Sequence, residues 1–387
     1  MRIPRSTALV AIPAVTALVL AGCGGSKSTG TTAANAGGDY LATAQAKVAT
    51  DYRGTNRAPD PTPRKGATGK KIVVISAGQS GISSAVPSNA AVEAAKALGW
   101  DVTLYDEKLD PSNGPGLMRQ ALAAGADGII VDANDCPLIK QPLQEAKDKG
   151  VLVVPIYAFD CNDPIFGGSG SALFSGVVNF GAQAKDVDAF TRSYGADQAD
   201  AIIAATNGHA RVVFFNDEEF TVLRYTAEGF KAELAKCADC KVVAEVDFKA
   251  AELGPQLQQK AASALLQHPD ANAVKIPYTA AALLGIGPAV VQSGRQDKVY
   301  VMGGEGFEPE LDLIRGNKGV DAVNVISSEW VGWAAVDSLN SLFLGQQPAD
   351  SGIGWTLADS GHDVPASGPF LPAVDFKAVY RKAWGLG

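Results

Sequence analysis

The stretch Lys70–Asp106, KKIVVISAGQSGISSAVPSNAAVEAAKALGWDVTLYD, decides how this chain is read. Residues 72–75 are a continuous β-branched run, suited to a strand covered on both faces. The segment 76–88 is rich in Gly and Ser and reads as a loop. Asn89 then opens a helical pattern, with Val92, Ala95 and Leu98 at helical spacing and Gly99 as its stop. Residues 102–105 supply the next strand. Two parallel strands need such a crossover between them, so this is one βαβ unit. In open α/β sheets, ligands lie beyond the carboxyl ends of the strands. The loop 77–84, with Gln79 and Ser80, is therefore the first candidate for ligand contact.

The unit recurs along the chain. Strand patterns fall at 72–75, 102–105, 128–132, 151–157, 210–216, 241–247, 273–278, 297–302 and 321–326. Helical patterns fill the gaps at 89–98, 116–124, 137–149, 183–206, 222–236, 255–267, 279–292, 308–315 and 330–344. Several end in Gly, as at Gly125, Gly150, Gly208 and Gly345. The alternation predicts parallel sheets flanked by helices. It breaks once, at 158–182, where Asp160, Pro164 and a Gly/Ser run at 167–171 mark a domain crossover. The expected fold is α/β, with two doubly wound parallel-sheet domains.

The length of 387 residues accommodates two domains, and 47% hydrophobic content supports a large core. Net charge is −8. This argues against nucleic acid or an anionic membrane surface as the main partner.

Arg2 and Arg5 precede an apolar run, Ala8–Leu20, too short to span a bilayer comfortably. Residues 1–22 read as a signal peptide. The run ends Leu20-Ala21-Gly22-Cys23, which resembles a bacterial lipoprotein box and implies cleavage before Cys23 and lipid on its sulfur. Residues 23–69 read as a lipidated tether and spacer: Gly, Ser, Thr and Ala to residue 38, a short helix at 39–49, then a stretch stiffened by Pro59, Pro61 and Pro63. The globular body is expected to start near Lys70.

The pieces KKIVVISAG, ALGWDVTLYD, GADGIIVDAND, KGVLVVPIYAFD, RYTAEGF, LLQHPDANAVKIPYTAAALLGI and VYVMGGEGFEPELDLIRGN, in this order and spacing, resemble type 1 periplasmic binding proteins, close to the ribose- and sugar-binding receptors of ABC transporters. The resemblance implies two lobes joined by three crossovers at a hinge, closing on a ligand in the cleft. Carried over by position, one lobe is 70–178 plus 328–348 and the other is 179–327 plus 349–387. It also implies a small-molecule ligand, an ABC permease as partner, a monomer, and an extracytoplasmic place on the membrane through the lipid. A receptor that presents its closed form to a membrane sensor is the alternative.

By the same resemblance, Arg224 stands where sugar receptors place a ligand-gripping arginine. Glu305 matches the acidic residue of the equivalent loop. Asp132 and Asp135 follow the third strand; they are ligand contacts or caps of the helix beginning at Pro137. Aromatic residues gather at strand ends: Tyr157, Phe159, Phe220, Phe248, Tyr278, Phe307 and Trp330. Such rings stack on sugar faces or aromatic ligands, or pack loops onto the core. One departure matters. Related receptors often end the fourth strand with Asp-Arg, and here the pair is Tyr157-Ala158. A simple aldopentose is thereby disfavoured, and a larger, less polar or aromatic ligand is favoured.

Four cysteines follow Cys23. Cys136 and Cys161 follow neighbouring strands and are expected to pair, and Cys237 with Cys240 to pair locally. The CADC stretch lacks a surrounding thioredoxin-like pattern, and zinc would need further ligands. His209, His268 and His362 stand in no metal or nucleophile motif; GIGPAV at 285–290 has the wrong spacing for a dinucleotide loop, and GQSG at 78–81 lacks a phosphate-loop Lys. The sequence points to no cofactor, no metal and no enzyme.

Overall fold

The computed structural model describes residues 36–181, 184 and 186–387. The signal segment, Cys23 and the first part of the tether lie outside the described residues.

The elements run in the order α1 (Ala36–Asp51), β1 (Lys71–Ser76), α2 (Ile82–Ala97), β2 (Asp101–Asp106), α3 (Gly114–Ala123), β3 (Gly128–Asp132), α4 (Cys136–Asp148), β4 (Leu152–Ile156) and α5 (Val187–Ala205). They continue with β5 (Arg211–Asn216), α6 (Thr221–Leu234), β6 (Lys241–Asp247), α7 (Pro255–Gln267), β7 (Ala273–Lys275), α8 (Thr279–Ala281) and α9 (Gly287–Gln292). Last come β8 (Tyr300–Met302), α10 (Glu308–Arg315), β9 (Ala322–Ile326), α11 (Ser328–Phe343), β10 (Trp355–Asp359) and α12 (Phe376–Ala383).

The strands form two sheets. The N-terminal lobe has the order β2-β1-β3-β4, all parallel, and the C-terminal lobe has β10-β9-β8-β7-β5-β6. Each sheet buries apolar side chains on both faces, which is why the strands read as unbroken apolar runs. The doubly wound α/β expectation holds, with one addition. β10 pairs antiparallel with β9 and closes the edge of the second sheet. Its short stretch, WTLAD, gives little periodicity on which to predict a strand.

Three local departures have physical causes. The helix expected from Asn89 begins at Ile82, so Pro87 lies inside it. Pro87 forfeits one intrahelical bond, and its carbonyl packs so closely on α11 that a Cβ at Gly332 would come within 2.3 Å of it. The single helix expected over 279–292 is broken by a π-turn at Ala282–Ile286. Pro288 has no N–H for the Leu284 carbonyl, and Gly254 N–H binds that carbonyl instead at 2.5 Å. Helices α5 and α6 cross backbone to backbone: a Cβ at Gly195 would meet the Thr226 carbonyl at 2.0 Å, and one at Gly229 the Arg192 carbonyl at 2.0 Å.

The lobe boundaries need correction at both ends. Residues 36–69 are no free spacer, and the body does not start at Lys70. Helix α1 packs on α5 of the C-terminal lobe. The segment after it donates from Thr55 N–H to the Trp355 carbonyl, from Arg57 to Gly352 and from Asp60 to Asp350, each at 2.8 Å. It then reaches the N-terminal lobe, where Arg64 N–H donates to Ala383 at 2.7 Å and the Arg64 guanidinium forks onto Asp337 at 2.9 and 2.8 Å. The tail is divided too. β10 joins the C-terminal lobe, but α12 returns to the N-terminal lobe, where Phe376, Tyr380 and Trp384 pack with Trp330 and Trp333. The expected assignment of all of 349–387 to the C-terminal lobe is therefore wrong for α12.

Both expected cysteine pairs are bonded, Cys136 to Cys161 and Cys237 to Cys240. The first ties the loop after β3 to the loop after β4. The sulfurs of the Cys136–Asp160–Cys161 group are thus committed to each other, and no other metal-holding group of His, Cys, Asp and Glu occurs among the described residues.

Candidate ligand-binding cleft

Side-chain hydrogen bonds join the two lobes near the carboxyl ends of their strands. Ser83 at the start of α2 donates to Glu305 Oε2 at 2.8 Å. Thr221 at the start of α6 donates to Asp135 Oδ2 at 2.5 Å. Tyr225 donates to Asp163. In each pair one residue belongs to each lobe.

Behind these bonds lies a cavity of about 130 Å³, bounded by Gly81–Ser84, Leu109, Asp132, Ala133, Tyr157, Phe220, Val222, Leu223, Ala250, Leu253, Tyr278, Ala280 and Glu305. A second space of about 80 Å³ shares Tyr157, Val222, Leu223 and Glu305 with it and extends toward Phe180, Phe190 and Tyr194. Two cavity residues, Ala133 (φ 53°) and Tyr157 (φ 51°), are in the left-handed region although neither is Gly. Both directly follow strands, β3 and β4. Backbone held in such a sparsely populated region is common at ligand sites.

Polar groups are few, and the prominent ones are acidic. Asp132 is 1% exposed and its Oδ1 has no hydrogen-bond partner; the Ala77 N–H lies 3.5 Å from Oδ2. Burial pushes its carboxyl up to about 7, and the Glu305 charge adds to the rise. Glu305 accepts from Thr279 N–H at 3.1 Å as well as from Ser83. Burial likewise raises it to about 7. Tyr278 forms an apolar wall, because its hydroxyl is committed to Asp217 at 2.9 Å. No lysine or arginine lines either space.

Of the residues expected at the site, Asp132, Tyr157, Phe220, Tyr278 and Glu305 line this cavity. The others go elsewhere. Trp330 is fully buried and stacks on Phe376 with centroids 4.9 Å apart, since α12 covers that face of α11. Phe248 is buried beside Tyr278, and Phe159 packs on Tyr225 with centroids 4.9 Å apart. Phe307 opens α10 and lines a separate groove of about 730 Å³ beside the tail segment 369–377. Asp135 occupies the N-cap position of α4 without capping it by its side chain; it binds Phe159 N–H at 2.9 Å and Thr221 instead. Arg224 is half-buried on α6 and lines neither space; it acts on Asp135 only through its charge. Gln79 is tied to Asp106 and Ser76 of its own lobe, and Ser80 is exposed. Because α2 begins early, its first turn with Ser83 and Ser84 takes the place expected for Gln79 and Ser80. The aliphatic walls Val222, Leu223 and Leu253 were missed, since nothing in their local pattern separates cavity wall from core.

The chain belongs to the periplasmic binding protein family: the family model described as "Periplasmic binding protein domain" matches residues 72–347. No curated protein matches it. Among solved structures, it is similar to a glucose-galactose binding protein from Geobacillus stearothermophilus (19% identity, 76% of this chain and 98% of that one, TM-score 0.64). It is also similar to a 5-methylthioribose transporter solute binding protein from Thermotoga lettingae (18%, 72% and 82%, 0.61). A third is an ABC transporter solute binding protein from Agrobacterium vitis bound with α-D-tagatopyranose (18%, 76% and 95%, 0.64). At these identities the likeness concerns the fold.

Proposed function

We propose that this chain is a lipid-anchored extracytoplasmic receptor that closes its lobes on a small organic ligand and delivers it to an ABC importer. The observation that carries this reading is the cavity whose walls come from both lobes, together with the lobe-bridging bonds Ser83–Glu305 and Asp135–Thr221. A ligand inside touches both halves at once and binds the closed form better than the open one. That differential affinity shifts the hinge equilibrium. Asp132 and Glu305 supply the polar anchors, and Tyr157, Phe220 and Tyr278 supply flat apolar faces. The structural relatives' sugar ligands make hydroxylated compounds the first to test. The apolar walls favour those with a sizeable apolar part.

The test is a thermal-shift screen over sugars, polyols, aromatic acids and amines, followed by calorimetry. A ligand at about a hundred times its Kd should stabilise the protein by about 2.7 kcal/mol. If no compound in the screen shifts the melting temperature, the receptor reading fails. The anchor is tested separately. Cys23→Ala should leave the expressed protein in the aqueous phase on detergent partitioning, and a mutant that still partitions like wild type sinks the anchor.

A further inference from the structure

We infer that the cavity is built for a small cation, an organic ammonium with a mainly apolar body, whose charge is shared by Asp132 of one lobe and Glu305 of the other. This deepens the receptor reading and rests on it. Three observations carry it. First, the cavity has two carboxyls contributed by opposite lobes and no basic side chain on its walls. Buried carboxyls are ordinarily paired with a cation or fully hydrogen-bonded. Second, Asp132 lines the cavity and is buried, and its Oδ1 makes no hydrogen bond of good geometry, with only the Ser84 and Ser88 hydroxyls and the Ala77 N–H as donors acting on the carboxylate. Third, the remaining wall is aliphatic and aromatic, with Leu109, Tyr157, Phe220, Leu223 and Tyr278. A free sugar presents hydroxyls around its ring and would leave many of them unpaired against such a wall. An ammonium ion on an apolar ring or chain places its donors at the two acids and its carbon body against the rest.

Electrostatics agrees with the geometry. Both carboxyls are held near neutrality by burial, at about 7. A bound cation restores their ionised form, because an opposite charge at short range favours it. Cation affinity should therefore weaken as pH falls through about 7. Closure and charge recognition are then one event, since neither lobe alone brings both acids to the ligand.

The probes are cyclohexylamine, its uncharged isostere cyclohexanol, and D-xylose, titrated calorimetrically into the purified chain. At about pH 8 cyclohexylamine should bind at least about tenfold tighter than cyclohexanol. That ratio should shrink toward one at about pH 5.5, where both acids are protonated. Asp132→Asn and Glu305→Gln should each erase most of the ratio. Melting curves of the variants confirm that they fold. If cyclohexanol or D-xylose binds as tightly as cyclohexylamine, the cation inference is overturned and the receptor reading stands. If cyclohexylamine binds with a ratio that neither substitution changes, the assignment of its charge to these acids is overturned. If none of the three probes binds, the cation inference fails, and the broader screen alone decides the receptor reading.

Discussion

Two groups of buried carboxyls invite comparison, one under α1 and one in the cleft. Under α1, Asp197 and Asp200 lie almost out of solvent. Lys47 reaches them at 3.0 and 3.2 Å. The Trp355 indole donates to Asp197 at 3.0 Å, and Tyr40 donates to Asp200 at 3.2 Å. Burial works against the Lys47 charge, yet the two acids hold it above the ordinary lysine value. In the cleft, Asp132 is buried and Glu305 partly buried, with no cation on the walls and with Asp132 Oδ1 making no hydrogen bond of good geometry. The first group has its cation within the chain, although Asp200 Oδ2 and the neighbouring Asp51 Oδ2 make no hydrogen bond, and the second group has none on its walls. Buried charge therefore does not distinguish a structural cluster from a binding one. Whether its partner is already present does.

The comparison can be broken most severely at another internally completed pair, in the N-terminal lobe. Arg64 and Asp337 are both about 4% exposed and joined by two hydrogen bonds. Arg64→Met should cost about 3–5 kcal/mol in chemical unfolding, because it strands a buried acid. A loss under about 1 kcal/mol would mean that the segment crossing the hinge contributes little.

Lys47→Met should cost less, about 1–2 kcal/mol, since this lysine is partly exposed and water screens it. Asp132→Asn should act with the opposite sign. In the ligand-free protein at about pH 8 it should leave stability unchanged or raise it by about 1 kcal/mol, because it removes an uncompensated buried charge. Equal losses from both substitutions would erase the distinction between the two groups.

Stability should also depend on pH. Asp132 and Glu305 have folded values near 7, and Glu107, raised by burial, near 8. The folded state keeps protons that the unfolded chain has released above about pH 4, so ligand-free stability should fall as pH rises from about 5 to about 8. Lys275, lowered by burial to about 7, opposes this only above that value. A melting temperature flat or rising between about pH 5 and 7 contradicts the assignment. In Asp132→Asn the slope should be shallower.

Much of the fold was legible in short windows. The run at 72–75, its successors and the helix-ending glycines located nearly every strand and helix of the two sheets, because β-branched runs and helical spacing reflect backbone sterics over a few residues. Adjacent parallel strands also placed the loops of Cys136 and Cys161 together, and the bond is there. The walls of the candidate cavity were legible in part. Asp132, Tyr157 and Glu305 sit at strand ends, where an open α/β sheet presents its ligand face, and all three line the cavity.

Trp330 shows where such reading stops. Its position at the start of α11, next to the crossover, suits a cleft residue, yet α12 brings Phe376 onto that face and buries it. Residues 36–69 likewise read as a spacer by composition, until Asp337, Gly352 and Trp355 supply partners nearly 300 residues away. A window of sequence specifies which backbone conformation is cheapest and which side chains share a face. Which face is then covered, and whether a buried acid meets a lysine or an empty cavity, depends on segments remote in the chain, and only their packing together settles it.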